Sequence, residues 1–311
     1  MQQRPLGNSG LNVSKLCLGG NVFGWTADEA ASFRILDHFV DAGLNFIDTA
    51  DVYSVWVPGH KGGESETIIG NWFKRSGKRD RVIIATKVGY ASNLTRENIL
   101  SAVEVSLQRL QTDHIDLYWA HKDDPNTPME EALEAFTQLK QQGKVRAIGA
   151  SNYKGARLRE ALQTSERTGL ARYEALQPEY NLADRKDYEQ DLESVAEEAG
   201  IGVTPYFSLA KGFLSGKYRS EADLGQSARG GGVKGYLNER GFRILSALDE
   251  VARETNSNPA RVSLAWLMAR PSITAPIASA TKIEQLDDLI AATELQLSAE
   301  QVARLDAASA Y

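Results

Sequence analysis

Short apolar runs alternate with segments of helical periodicity along most of this chain. Runs of strand length lie at residues 16–19, 46–49, 82–86, 115–120, 147–150, 175–177, 202–205 and 273–276. Between them, apolar residues recur at spacings of three and four, as in Ile99, Val103, Leu107 and Leu110, which predicts amphipathic helices. Strict alternation of strand and helix predicts parallel strands joined by right-handed crossovers.

Eight strand–helix units predict a (β/α)8 TIM barrel with extra helices, forming a single domain over residues 1–311. The competing architecture is an open doubly wound sheet, which usually carries G-x-G-x-x-G after its first strand. The stretch at 19–24, Gly-Gly-Asn-Val-Phe-Gly, does not fit that pattern. Upstream, residues 4–6 and 11–14 flank a turn-forming Gly-Asn-Ser-Gly cluster, which predicts an N-terminal β-hairpin.

Several boundary signals refine this prediction. Asn258 before Pro259 predicts a helix start, and capping boxes are predicted to begin at Thr281 and at Ser298. Two connections, residues 54–63 and 208–238, are too long for ordinary turns. Both follow the carboxyl ends of predicted strands, the face on which barrel active sites are built.

Composition narrows the functional classes. The single cysteine, Cys17, excludes an intrachain disulfide and a multi-cysteine metal site. A net charge of -6 offers no general attraction for nucleic acid or an anionic membrane. The first residues lack the apolar region of a secretory signal, and no apolar stretch reaches the ~20 residues of a membrane helix. We therefore expect a cytoplasmic protein, and the pattern leaves the oligomeric state open, a monomer included.

Four residues stand out as a candidate catalytic set. Asp48, Lys87 and His121 each end a strand-like run, and Tyr53 follows five residues after Asp48. Parallel strands of a barrel end on one face, so we expect these side chains to converge. A free tyrosine has a pKa of about 10, and an adjacent ammonium lowers that pKa. The set suits protonation of an oxygen that gains negative charge, as in carbonyl reduction.

The same stretches resemble the aldo-keto reductase family, over essentially the whole chain. The similar segments are 43–53 (Gly-Leu-Asn-Phe-Ile-Asp-Thr-Ala-Asp-Val-Tyr), 85–87, 113–121, 148–153 and 177–181. The resemblance implies a barrel reductase with Tyr53 as general acid, tuned by Lys87 and Asp48, and with His121 orienting the substrate. It also implies a nicotinamide cofactor bound across the carboxyl-terminal face, without a Rossmann domain.

The resemblance further implies the cofactor contacts. Ser151, Asn152 and Gln177 would hold the carboxamide and Tyr206 would stack on the nicotinamide, while the pyrophosphate and adenosine phosphate would face Leu209, Lys211, Gly212, Ser279, Thr281, Lys282 and Gln285. Because Lys282 can pair with a 2′-phosphate, NADPH is predicted over NADH. The chain departs from common members with Phe-Ser at 207–208, with Ser279 in place of Gly and with Leu289 in place of Asn.

Residues 54–62 form an insertion relative to common members of the family. We hypothesise that Trp56, Val57 and His60 shape the entry of a small carbonyl or alcohol substrate.

Two other functions remain open at this point. One is a metal-dependent barrel hydrolase or isomerase that uses His121, Asp123 and Asp124, although the predicted set contains no metal site. The other is a non-catalytic, NADPH-binding regulatory protein of the same fold, which turnover would distinguish.

Overall fold

A parallel eight-stranded sheet forms the centre of the molecule, a computed structural model that describes residues 3–228 and 230–311. Met1, Gln2 and Arg229, used above in reading the N-terminus and the second long loop, lie outside the described residues. The strands are β3 (Cys17–Gly19), β4 (Phe46–Asp48), β5 (Ile83–Val88), β6 (Ile115–Ala120), β7 (Val145–Ser151), β8 (Tyr173–Gln177), β9 (Gly202–Val203) and β10 (Ile277–Ala278), paired in the order β10-β3-β4-β5-β6-β7-β8-β9.

Backbone hydrogen bonds join the two outermost strands and close the sheet. Thr274 N donates to Val203 O at 2.8 Å, and Ile277 N donates to Pro205 O at 2.9 Å. The predicted TIM barrel is confirmed. The predicted hairpin is confirmed as well, because β1 (Gln3–Pro5) pairs antiparallel with β2 (Asn12–Ser14). Leu6, Leu11 and Val13 of this segment pack on the residues that fill the barrel interior.

Ten α-helices surround the sheet in the described part of the chain. They are α1 (Glu29–Asp41), α2 (Glu64–Ser76), α3 (Arg96–Leu110), α4 (Met129–Gln141), α5 (Gly155–Thr168), α6 (Glu193–Ala199), α7 (Glu239–Glu254), α8 (Pro259–Ala269), α9 (Ile283–Ala292) and α10 (Ala299–Ala308). The apolar stripe predicted from Ile99, Val103 and Leu107 is the buried face of α3. Two helices follow β9 and two follow β10, which confirms the predicted extra helices.

The structure corrects two predicted boundaries. The last strand lies at β10, not at 273–276, because Pro276 has no N–H to donate to a strand ladder. The capping box predicted at Thr281 is wrong: α9 begins one residue later than predicted, with Lys282 as its N-cap and without a side-chain capping hydrogen bond. The capping box at Ser298 and the helix start at Pro259 are confirmed.

Both long connections lie beyond the carboxyl ends of strands. Residues 54–63 contain turns and bends but no helix or strand. The loop at 208–238 is not structureless, because it contains three 3-10 segments: Ala210–Ser215, Glu221–Gln226 and Gly230–Tyr236. None of the helices within the described residues is long and apolar enough to cross a membrane.

Candidate active site

Three neighbouring strands deliver the candidate catalytic residues to one face of the barrel. Asp48 is the last residue of β4, Lys87 is the second-last residue of β5, and His121 directly follows β6. Lys87 is fully buried, while Asp48 and His121 are 2% and 7% exposed. Tyr53, in the loop after β4, reaches the same place, so the structure brings all four predicted residues together.

The Lys87 ammonium is saturated with acceptors. Its Nζ donates to Asp48 Oδ2, to Thr49 O at 2.7 Å and to Tyr53 Oη at 3.0 Å. An ammonium has three N–H groups and no acceptor, so Tyr53 Oη is the acceptor in their contact. The phenolic proton of Tyr53 is therefore left to point elsewhere. The Thr49 carbonyl could not have been found from the sequence, because any residue type supplies it.

The pKa values of this pair keep both groups protonated at neutral pH. Burial raises the pKa of Tyr53 and outweighs the lowering effect of Lys87. The prediction of a lowered Tyr53 pKa is therefore wrong in its net direction, although Lys87 acts in the expected sense. For Lys87 itself, burial lowers the pKa, but Asp48 and Tyr53 raise it further, so the ammonium remains charged. The pair places a phenolic proton beside a fixed positive charge.

His121 is a neutral imidazole at the edge of this pair. Burial, with a smaller contribution from Lys87, holds the pKa of His121 well below its usual value. Its ring centroid lies 6.2 Å from that of Tyr53. Its backbone is held on both sides, since His121 N donates to Val88 O at 2.8 Å and Asn152 Nδ2 donates to His121 O at 2.9 Å. A neutral imidazole fixed in this way can orient a carbonyl oxygen next to Tyr53.

The residues predicted to hold a carboxamide form one hydrogen-bonded network with Asp48. Gln177 Nε2 donates to Asp48 Oδ1 at 2.9 Å, and Ser151 Oγ donates to Gln177 O at 3.0 Å. Asn152 Nδ2 donates to Ser151 Oγ at 3.1 Å, and Tyr206 Oη donates to Asn152 Oδ1 at 2.8 Å. This cluster of amide and hydroxyl groups beside an aromatic ring fits an amide-bearing aromatic ligand. The Asp48–Gln177 bond spans 129 positions and had no signal in the sequence.

The residues predicted to face a pyrophosphate lie in one tight turn after Tyr206. Lys211 and Gly212 have φ angles of 58° and 101°, the left-handed region that suits glycine. Gly212 N donates to Leu209 O at 2.8 Å, so the three predicted residues are adjacent. Lys211 Nζ lies 5.1 Å from the Phe207 ring centroid.

The residues predicted for the adenosine phosphate are spread over two places. Ser279 Oγ donates to Asn21 Oδ1 at 2.6 Å on the side of the barrel mouth. Thr281 N donates to Gln285 Oε1 at 2.9 Å at the start of α9. Leu289, which stands where relatives often have Asn, is 3% exposed and packs in the core. It therefore offers no contact to a ligand.

A cleft of about 250 Å³ lies between α1 and the start of α9. Lys282 and Glu284 line it from the start of α9, and Arg34 of α1 lines it from the other side. The Lys282 and Arg34 side chains are exposed, and neither is in an ion pair with another described residue. Arg34 could not be selected from the sequence, because the contact between α1 and α9 depends on helix packing rather than on a local motif.

Of the predicted substrate residues, Trp56 reaches the candidate catalytic set. Its ring centroid lies 5.8 Å from that of Tyr53. The backbones of Val57 and His60 share a hydrogen bond, in which His60 N donates to Val57 O at 3.0 Å. Within the described part of the chain, neither residue makes a ring contact or hydrogen bond with the four candidate catalytic residues. Sequence reasoning missed Tyr90, whose ring centroid is 4.7 Å from that of His121.

The carboxylates invoked for a metal-dependent enzyme have other partners. Asp123 accepts from Nε and Nη2 of Arg157, each at 2.9 Å. Asp124 accepts from Thr127 Oγ1 at 2.6 Å and from Leu94 N at 3.0 Å. Both carboxylates hold surrounding backbone and side chains in place.

Comparison with known proteins agrees with this geometry. A family model described as Aldo/keto reductase family matches residues 15–310. The chain belongs to the aldo/keto reductase family. It is 37% identical to the uncharacterized oxidoreductase YrpG of Bacillus subtilis (96% of this chain, 93% of the relative). It is 31% identical to norsolorinic acid reductase of Aspergillus flavus (98% and 80%) and 30% identical to Protein tas of Escherichia coli (99% and 97%). Membership makes this aldo/keto reductase an oxidoreductase of the carbonyl-reducing kind.

Proposed function

We propose that this aldo/keto reductase reduces an aldehyde or ketone to the alcohol, reversibly, with NADPH as cofactor and Tyr53 as general acid. The observation that carries this proposal is the saturated Lys87 ammonium. Because it donates to Asp48, Thr49 O and Tyr53 Oη, the proton of Tyr53 is free to be given to a substrate oxygen.

The residues act on the oxygen of the substrate. When bound, the nicotinamide cofactor supplies a hydride to the carbonyl carbon and is itself oxidised. The π-electron pair of the C=O bond moves to oxygen, and Tyr53 Oη transfers its proton there, so that new C–H and O–H bonds replace the π bond. The Lys87 ammonium stabilises the phenolate that forms, and Asp48 with Thr49 O keeps the ammonium in place.

His121 positions the carbonyl for this transfer. Because burial keeps its pKa well below the usual value, it meets the carbonyl as a neutral ring and does not compete with Tyr53 as the acid. Solvent then restores the proton of Tyr53.

The cofactor proposal rests on the chemistry of the residues available. Ser151, Asn152 and Gln177 would hold a carboxamide, and Tyr206 would cover the nicotinamide ring. The remaining contacts would come from Leu209, Lys211, Gly212, Ser279, Thr281, Lys282 and Gln285. Arg34 and Lys282 of the α1–α9 cleft, neither of them in an ion pair with another described residue, favour NADPH, since a 2′-phosphate needs positive partners.

Trp56, Val57 and His60 are proposed to shape the entry of a small-molecule substrate. Support is strongest for Trp56, whose ring adjoins that of Tyr53. One relative is named norsolorinic acid reductase, and its name supports a reductive role for this chain as well. A cytoplasmic location remains part of the proposal.

The test is Tyr53→Phe, with Tyr118→Phe as the matched control. Tyr118 lies on β6, is fully buried, and its Oη has no partner within the described residues. Tyr53→Phe should lower kcat for carbonyl reduction by about 10²- to 10⁴-fold. NADPH binding, measured by fluorescence titration, should persist because only the proton donor is removed. Tyr118→Phe should retain activity.

Near-normal turnover in Tyr53→Phe would sink the assignment of the acid. If wild type oxidised no NADPH with any member of a carbonyl panel yet bound the cofactor, the non-catalytic alternative would replace the enzyme proposal.

A further inference from the structure

Arg109 lies outside the barrel, in the last turn of α3, and its guanidinium reaches the base of the loop that carries Tyr53. Its Nη1 donates to Glu66 Oε2 at 3.2 Å and to Asp51 O at 3.4 Å. Asp51 lies two residues before Tyr53, and Glu66 lies in the first turn of α2, directly after the loop at 54–63. The guanidinium therefore connects the two ends of this loop.

Two glycines make room for Arg109. Gly63, the last residue of the loop, has a φ of 90°, and a Cβ added there would come within 2.2 Å of the Arg109 guanidinium carbon. Gly70 of α2 is equally close to the backbone of α3, since a Cβ added there would lie 2.1 Å from Arg109 O. Both the backbone and the side chain of Arg109 are therefore fixed by close packing.

The same loop base fixes the backbone of the proposed acid. Gly63 N donates to Tyr53 O at 2.7 Å, so the glycine that packs on the guanidinium also bonds to Tyr53. The Tyr53 hydroxyl in turn accepts from Lys87 Nζ at 3.0 Å. A shift of the loop base would change this distance, and misplacing a reacting group by about 1 Å can cost about 10²-fold in rate.

A buried carboxylate keeps the guanidinium in place. The Glu66 side chain is fully buried, and its Oε1 accepts from Thr86 Oγ1 of β5 at 2.6 Å. A buried carboxylate needs a charged or hydrogen-bonding partner, and Arg109 supplies the positive charge. The Arg109 side chain is itself 31% exposed, so small cations from solvent can reach the position of its guanidinium.

We propose that Arg109 is a positioning residue for Tyr53. Its guanidinium, held by Glu66, packs on Gly63 and bonds to Asp51 O, and thereby keeps the Tyr53 hydroxyl beside the Lys87 ammonium. Because α3 lies outside the barrel, Arg109 acts through the loop base and does not act on the substrate directly. This inference rests on the proposed role of Tyr53 as the general acid.

Arg109→Ala tests the proposal in kinetics with benzaldehyde and NADPH. The variant should lower kcat by about 10- to 100-fold, because the phenol is no longer held in place. KM for NADPH should stay within about twofold of wild type, because the lost contact acts on the proton donor and not on cofactor binding. Methylguanidinium at millimolar concentration should restore part of kcat by occupying the position of the missing group.

Arg159→Ala is the matched control. Arg159 is an arginine of α5 that is 45% exposed and forms an ion pair with Glu198. Its replacement should keep the wild-type kcat and should not respond to methylguanidinium.

Gly63→Ala provides an independent test through a double-mutant cycle. In wild type the added Cβ collides with the guanidinium, so kcat should fall. In the Arg109→Ala background that collision is absent, while the strain of the positive φ is the same. The fold loss caused by Gly63→Ala should therefore be at least about threefold smaller there than in wild type.

Arg109→Lys covers the case in which Arg109→Ala does not fold. The lysine keeps a positive charge beside Glu66 but lacks the planar group that packs on Gly63, so kcat should fall while the urea midpoint stays near that of wild type. Wild-type kcat in the Arg109 variants, a loss that methylguanidinium does not reverse, or additive losses in the cycle would overturn this inference. Turnover in Tyr53→Phe would instead overturn the proposed acid, so the two failures are distinguishable.

Discussion

The buried Lys87 and the exposed cations of the α1–α9 cleft are built in opposite ways. Lys87 is fully buried, and each of its three N–H groups has an acceptor within the chain. Arg34 and Lys282 are exposed around the α1–α9 cleft, without an ion pair to another described residue. Folding itself fixes the first charge, because a buried ammonium without partners would be too costly. The second pair of charges is left available for a ligand.

The largest expected effect comes from breaking the buried pair. Lys87→Met leaves the Asp48 carboxylate with Gln177 as its side-chain donor, and should lower the free energy of unfolding by about 3–5 kcal/mol. Turnover should fall by about 10²-fold or more, because the phenolate loses its positive neighbour. Urea denaturation and NADPH oxidation measure the two losses.

The double variant Lys87→Met/Asp48→Asn isolates the cause of the lost stability. Removing the uncompensated charge should restore part of the unfolding free energy but none of the activity. If Lys87→Met unfolded at the same urea concentration as wild type, the Lys87 charge would not contribute to stability. Lys87 would then not differ in this respect from the cations of the α1–α9 cleft.

Asp51 extends the comparison, because it is a carboxyl group near the candidate active site that lacks part of its hydrogen bonding. Its Oδ1 is buried without a hydrogen-bond partner among the described residues. Burial and then the buried Glu66 raise the pKa of Asp51 to about 7, against smaller lowering effects of Lys87 and Arg109. The folded state therefore binds a proton that the unfolded state has released, between the ordinary carboxyl pKa and about 7. Stability supplied by this proton is lost as the pH rises through that window.

Asp51→Asn should accordingly gain stability relative to wild type as the pH increases. Between pH 5 and pH 8 the difference in unfolding free energy should move in favour of the variant by about 2 kcal/mol. Urea unfolding at both pH values measures it. Asp187→Asn, at an exposed carboxyl with 81% of its side chain accessible, is the control and should follow wild type. A pH-independent difference for Asp51→Asn would show that its carboxyl does not titrate in this range.

The positions of residues at strand ends could be predicted from the sequence, whereas contacts between elements distant in the chain could not. Asp48, Lys87 and His121 end parallel strands, so their meeting was predictable from strand order alone. The Thr49 carbonyl, the Asp48–Gln177 bond and the lining of the cleft by Arg34 were not. They depend on backbone direction and on packing between elements distant in the chain. The net pKa of Tyr53 was missed for a related reason, since its burial outweighs the charge that the motif supplies.

The smallest effects on stability, and the most selective ones on function, are expected at the cleft. Arg34→Ala and Lys282→Ala should each raise KM for NADPH by about tenfold and leave KM for NADH within about twofold, because a charge-assisted contact to the 2′-phosphate is worth roughly 1.5 kcal/mol. Since neither side chain is in an ion pair with a described residue, each variant should keep the unfolding free energy within about 0.5 kcal/mol of wild type. Lys140→Ala, in the last turn of α4 at the opposite end of the barrel, controls for the general loss of a positive charge. Steady-state kinetics with both cofactors measures these KM values. An equal rise in KM for NADPH and NADH would mean that Arg34 and Lys282 do not bind the 2′-phosphate.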